Sequence, residues 1–167
     1  MLFIDYYFDN DYHYHINILN ELFNKSGLGE ETVGNLIVAD ELGIQLQCLS
    51  HGYKKENLVC HSIFLNKGDL LTITNRKKYI VDVGWFILVK INHTNDEFIF
   101  VNELEQLIQD EKILDEIGCM LKIIGIDYYL EEALVQRNKE EFLNYSSTKN
   151  ELTFLYERLC KKIPIES

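Results

Sequence analysis

Two periodicities divide this chain. From Leu36 to Val101 the apolar residues come in short runs, several of them alternating with polar ones. In Ile44-Gln-Leu-Gln-Cys-Leu49, for example, Ile44, Leu46 and Cys48 fall on one face of a strand. From Asn102 onward the spacing changes to threes and fours, the signature of helices. The switch predicts mainly strand over residues 36 to 101 and mainly helix over residues 102 to 163. The expected strands are Leu36–Ala39, Ile44–Leu49, Leu58–Leu65, Leu70–Thr74, a long run from Tyr79 to Ile91 and Phe98–Val101. Their short connections favour antiparallel pairing, with five to seven strands in all. Asn66-Lys-Gly-Asp69 is a hairpin signal, with Gly68 able to take positive φ. His51-Gly-Tyr-Lys-Lys-Glu-Asn57 reads as a turn, Asn75-Arg-Lys-Lys78 as a basic turn, and Gly84 as a bulge or break in the run that contains it.

Ahead of the strands, residues 2 to 14 form an aromatic and acidic arm. Ile16, Leu19, Leu22 and Phe23 then repeat as a helix that stops at Ser26-Gly27, and residues 28 to 34 make a linker. Behind the strands, Asn102 with Glu105 at the third helical position predicts a capped helix carrying the stripe Leu104, Leu107, Ile108 and ending near Gly118. Leu121, Ile124 and Tyr128 lead into the stretch Asp127–Phe142. Within it Leu130, Ala133 and Leu134 share a stripe, and the pattern breaks at Arg137-Asn138. Asn138, three residues before Glu141, has N-cap chemistry for a new helix bearing Phe142, Leu143 and Tyr145. Two short helices are therefore expected to meet at a polar corner, with Leu130, Leu134 and Phe142 turned inward and Glu131, Arg137 and Lys139 outward. A last helix carries Leu152, Leu155, Tyr156 and Leu159, followed by Lys161-Lys162 and Pro164. The expected class is α+β: a small, mainly antiparallel β-sheet with an N-terminal helix, followed by a C-terminal helical hairpin or bundle. Residues 1–101 form the sheet part and 102–167 the helical part of one compact unit.

Composition narrows the function classes. A hydrophobic content of 47% in 167 residues is enough to bury a core. The formal charge of −11 repels phosphate backbones, so the partner expected is another protein and not nucleic acid. The start Met-Leu-Phe-Ile-Asp5 lacks the basic region of a signal peptide, and no apolar run reaches membrane-spanning length. A cytoplasmic, non-membrane protein is the expectation, in which Cys48, Cys60, Cys119 and Cys160 are buried thiols rather than disulfides.

Candidate chemistry is sparse. His13 and His15 alternate, and Cys60-His61 adds two potential metal ligands, but adjacent residues of a strand point to opposite faces. There is no G-x-S-x-G, and Gly27-x-Gly29 is followed by Glu30-Glu31 where a phosphate loop needs neutral or basic residues. Glu103, Glu105, Asp110 and Glu111 read as a solvated helix face. No metal, no cofactor and no catalytic residue is expected.

One stretch resembles a known module. Leu130-Glu-Glu-Ala-Leu134, then Asn138, then Phe142 is similar to the motif of the IDEAL domain, a short helical module of Gram-positive bacteria. Ala133 and Leu134 match it outright, Leu130 stands for its Ile, Glu131 for its first Asp and Phe142 for its aromatic. Val135 and Asn138 replace two further acids. The order of helix, strands and helices, with Ile63-Phe-Leu-Asn-Lys-Gly-Asp-Leu-Leu-Thr-Ile-Thr74 as a Lys-Gly hairpin, likewise resembles bacterial YpiB-like (ReoY-like) proteins, which carry a C-terminal IDEAL motif. The resemblance implies a non-catalytic adaptor or regulatory protein in Clp-type regulated proteolysis, with Glu131, Arg137, Asn138 and Lys139 as the protein-binding residues. The alternative is an acidic immunity or inhibitor protein that neutralises a toxin or other basic partner.

Overall fold

The computed structural model describes residues 32–51 and 58–161. The expected N-terminal helix, the aromatic arm, His13, His15, the Gly27–Gly29 segment, most of the His51–Asn57 turn and Pro164 lie outside them. The described residues form seven antiparallel strands: β1 (Thr32–Val38), β2 (Ile44–His51), β3 (Leu58–Leu65), β4 (Leu70–Ile80), β5 (Gly84–Ile91), β6 (Asn95–Phe100) and, after the first helix, β7 (Ile113–Leu114). The helices are α1 (Val101–Gln109), α2 (Glu116–Val135) and α3 (Lys139–Lys161). The described residues thus form a mixed fold, a single antiparallel sheet with three helices.

The strand order β3-β2-β6-β5-β4-β1-β7 puts β3 and β4 four places apart. In a flat sheet that is about 19 Å. Yet only Asn66–Asp69 join them, and these residues fold back on themselves through an N–H of Asp69 to the carbonyl of Asn66 at 3.0 Å. The sheet is therefore curled. Asp69 holds the closure: its carboxylate accepts from the Asn66 N–H at 2.7 Å and from the Asn92 amide at 2.9 Å. Gly68, at φ 89°, donates to the Val38 carbonyl at 2.8 Å.

Inside the curl lies the main core. Leu46, Cys48, Leu71, Ile73, Ile87, Val89 and Ile99 meet the buried face of α1, Val101, Leu104, Leu107 and Ile108. A second cluster joins the helical hairpin to the sheet. It brings Ile37, Leu70 and Leu114 against Cys119 of α2 and Leu155 and Leu159 of α3. On the outer face of β5 and β6, Phe86, Leu88 and Phe98 form a third.

Several expectations need correction. Asn66–Asp69 is a turn with the expected positive φ at Gly68, but the strands it joins do not pair; β3 pairs with β2, and β4 with β5 and β1. A turn signal dictates a local reversal and not the choice of neighbour. Asn75–Lys78 is not a turn but the second half of β4, which passes through a register irregularity between Ile73 and Lys77. The reversal comes at Val81–Val83, with Asp82 at φ 64° and Gly84 at φ 128°. Asn102 does not cap α1. The helix starts two residues earlier because Val101 is drawn into the core, and Phe100 occupies the cap position without a side-chain bond. It also stops well short of Gly118, because β7 leaves the helical path to pair with β1. The two short helices of the corner are the ends of two long ones, of 20 and 23 residues. Cys60 and Cys160 are exposed thiols, and only Cys48 and Cys119 are buried.

Candidate functional site

The geometry of the helical hairpin starts at its caps. Asp115 opens α2 by accepting from the Gly118 N–H at 2.7 Å, satisfying one of the donors a helix start leaves unpaired. At the other end Gln136 donates to the Glu132 carbonyl. The Arg137 N–H then bonds the Leu134 carbonyl at 3.1 Å, and the Asn138 N–H bonds the Ala133 carbonyl at 2.9 Å. That is the paired 5→2 and 6→1 pattern of a Schellman end, with Arg137 in the left-handed position at φ 54°. Asn138 is the next N-cap, as expected: its side chain accepts from the Glu141 N–H at 3.3 Å. Glu140 and Glu141 follow in the first turn, where a helix N-terminus favours negative charge.

The side chains sort differently from the sequence expectation. Glu131, Arg137 and Lys139 are exposed, as expected. Asn138 is half-buried and holds the corner together by its cap. Leu130 and Phe142 are only half-buried, and Leu134 is 60% exposed, so the inward trio is not one. The reason lies at Ala133, which is 2% exposed. The small residue lies at the corner beside Glu141 and Tyr145 of α3. Leu134, one position and about 100° further round, is turned out of the contact.

Two features at this hairpin were not foreseen. The first is a polar notch of about 220 Å³ at the corner, lined by Tyr129, Glu132, Ala133, Gln136, Glu141 and Tyr145. The Tyr129 and Tyr145 rings stack across it at 5.4 Å, and the Gln136 amide donates to the Glu132 carboxylate at 3.1 Å. Two carboxylates beside two aromatic faces suit a cationic side chain. Tyr129, Glu132, Ala133 and Gln136 have helical spacing, but Glu141 and Tyr145 join them only through the pairing of α2 with α3. The second feature is α2 itself, a helix apolar on most sides. Only Gly118, Cys119 and Ala133 of it are buried, while Met120, Ile124 (60%) and Tyr128 (58%) lie along its outer face.

The remaining candidates within the described residues do not converge on one site. Cys60 faces outward beside Gln47, and His61 turns the other way to meet Glu97 at 3.1 Å. Among the described residues no three His, Cys, Asp or Glu side chains converge to hold a metal. Burial pushes the Cys48 thiol up to about 12, helped by the nearby charge of Glu97, and burial beside Asp115 does the same to Cys119. Both are protonated at neutral pH, the wrong state for a nucleophile. Asp110 and Glu111 lie on a solvated surface. Glu103 and Glu105 are half-buried, and burial raises the Glu103 carboxyl above its ordinary value. No helix among the described residues is long and apolar enough to cross a membrane. Comparison of the chain with protein families, with curated proteins and with solved structures returns no match.

Proposed function

We propose that this chain is a non-catalytic adaptor or regulatory protein that binds another protein through the α2–α3 hairpin. The observation that carries the reading is the outer face of α2: Met120, Ile124 and Tyr128 stand exposed on a helix whose opposite side is packed on α3. Exposed apolar stripes of this kind are costly in water unless a partner covers them. The corner adds the specific contacts. Glu131, Arg137 and Lys139 offer charge on a rigid frame capped by Asn138, and the notch between Glu132 and Glu141 receives a basic side chain. In its finer form, drawn from the resemblance to the IDEAL module, the protein acts in the cytoplasm and presents a client to a Clp-type ATP-dependent protease.

A second reading, an immunity or inhibitor protein against a basic toxin, draws on the same acidic notch and on the net charge of −11. Affinity purification followed by mass spectrometry separates the two. The adaptor reading expects an unfoldase or protease subunit, captured by the native chain and lost in the double variant Glu131→Lys, Arg137→Glu with its stability nearly unchanged. A single basic partner, lost instead on Glu132→Gln and Glu141→Gln, would establish the inhibitor reading. If every captured protein stays bound to all of these variants, the hairpin is a structural element alone.

A further inference from the structure

Strand β3 lies at one end of the sheet order, and among the described residues its only ladder is the one with β2. Exposed edges are templates for another chain, and proteins normally blunt them with bulges, prolines, charged residues or very short strands. β3 has none of these devices. It is eight residues long, Leu-Val-Cys-His-Ser-Ile-Phe-Leu, without Lys, Arg, Asp, Glu or Pro. Its register with β2 runs from Ile44↔Leu65 to His51↔Leu58 without a shift, so no bulge twists the edge away. Val59 is 49% exposed and Phe64 58% exposed, on opposite faces of the strand.

We infer that β3 is a docking edge for strand addition, and that its occupant is an extended, basic segment of a partner protein with alternating aliphatic residues. The size of the edge selects this occupant over a second copy of the chain. A ladder of eight residues is about 26 Å long and about 10 Å deep, a footprint on the order of 300 Å². Stable dimers bury roughly 800 Å² per partner. A second copy would also bring a further charge of −11 to the contact, whereas a basic segment is drawn to this acidic protein. The main chain of the segment would supply ladder hydrogen bonds. Its aliphatic side chains would continue the core face beside Val59 and Ile63, and its other side chains would lie along Phe64 and Ser62. The inference rests on the protein-binding reading above but uses a different surface, the sheet edge in place of the hairpin.

The probe is the synthetic peptide Lys-Val-Thr-Val-Lys-Val-Thr-Val-Lys, titrated into the full chain and followed by amide hydrogen exchange and backbone NMR shifts. Saturable binding is expected, with protection and shifts confined to β3 and the adjoining residues of β2. N-methylation of the peptide at alternate residues should abolish binding. Ser62→Lys should weaken it about tenfold or more, since it sets a charge of the same sign on the edge. Ser62 is exposed and its hydroxyl accepts from the Gln47 amide at 2.6 Å, and Val59→Lys provides a second edge variant with an independent effect on folding. The Glu131→Lys, Arg137→Glu variant should bind the peptide normally. Absence of β3 protection at millimolar peptide, equal binding of the N-methylated peptide, or protection centred on α2 would overturn the inference and leave the hairpin reading intact. A dimer of the native chain that Ser62→Lys dissolves would assign the edge to a second copy and overturn the occupant named here.

Discussion

Arg137 sits at φ 54° in the turn that ends α2, a conformation that costs a residue with a Cβ about 1 kcal/mol or more and that glycine adopts freely. Most Schellman ends place glycine there. The strain is stored at a position offered here as a binding contact, which is where strained backbone tends to be retained. Arg137→Gly is therefore expected to raise unfolding stability by about 0.5–1 kcal/mol in urea titrations while removing the exposed guanidinium from the partner surface. An unchanged or lowered midpoint would mean that the side chain contributes to folding after all. The neighbouring Asn138 was legible in the sequence because its capping role depends on Glu141, three residues away. The left-handed turn was not, because an arginine gives no sign of positive φ.

The strands were largely legible, since alternation and turn residues are local. Their order was not. Asn66–Asp69 reverses the chain, but Asp69 and Asn92 then tie that reversal to the far side of the sheet, a relation no local pattern carries. The same limit explains the corner: spacing puts Leu130, Ala133 and Leu134 on one stripe, and only the closeness of α3 makes Ala133 the contact and Leu134 the outlier. In α3, by contrast, the stripe Leu152, Leu155, Tyr156, Leu159 is buried or half-buried as its spacing foretells. The two kinds of apolar position should respond oppositely. Leu155→Ala, in the cluster that anchors the hairpin to the sheet, should cost about 2–5 kcal/mol in denaturant unfolding. Ile124→Lys, on the open face of α2, should stay within about 0.5 kcal/mol and reduce capture of the partner protein in affinity purification. A large loss at Ile124 would show that the stripe is already covered within the chain.

The molecule as a whole is held together at the seam between sheet and hairpin, and one side of that seam titrates. Lys67, in the β3–β4 turn, bonds Glu151 of α3 at 2.7 Å and also reaches Glu41 beyond β1. Partial burial pulls the Lys67 amine down, but its hydrogen bonds with Glu151 and Glu41 outweigh that and raise it above the ordinary lysine value. The hydrogen bond from Lys67 holds the Glu151 carboxyl below its ordinary range. A depressed carboxyl contributes stability that is present above the unfolded glutamate value, about 4.3, and is lost as pH falls through the lower folded one. A raised amine contributes stability that is present below the ordinary lysine value and is lost as pH rises through the raised one. The bridge is thus complete across the neutral range and opens first on the acid side. Lys67→Met should unfold at lower urea than the native chain at neutral pH. That difference should shrink as pH falls below the glutamate range and should also shrink in high salt, because Glu151 lies at the surface where ions screen it. A difference that persists unchanged in acid would show that Lys67 acts through its packed methylenes, with the charge incidental. The seam would then owe its strength to apolar packing, those methylenes together with the cluster around Leu155 and Leu159.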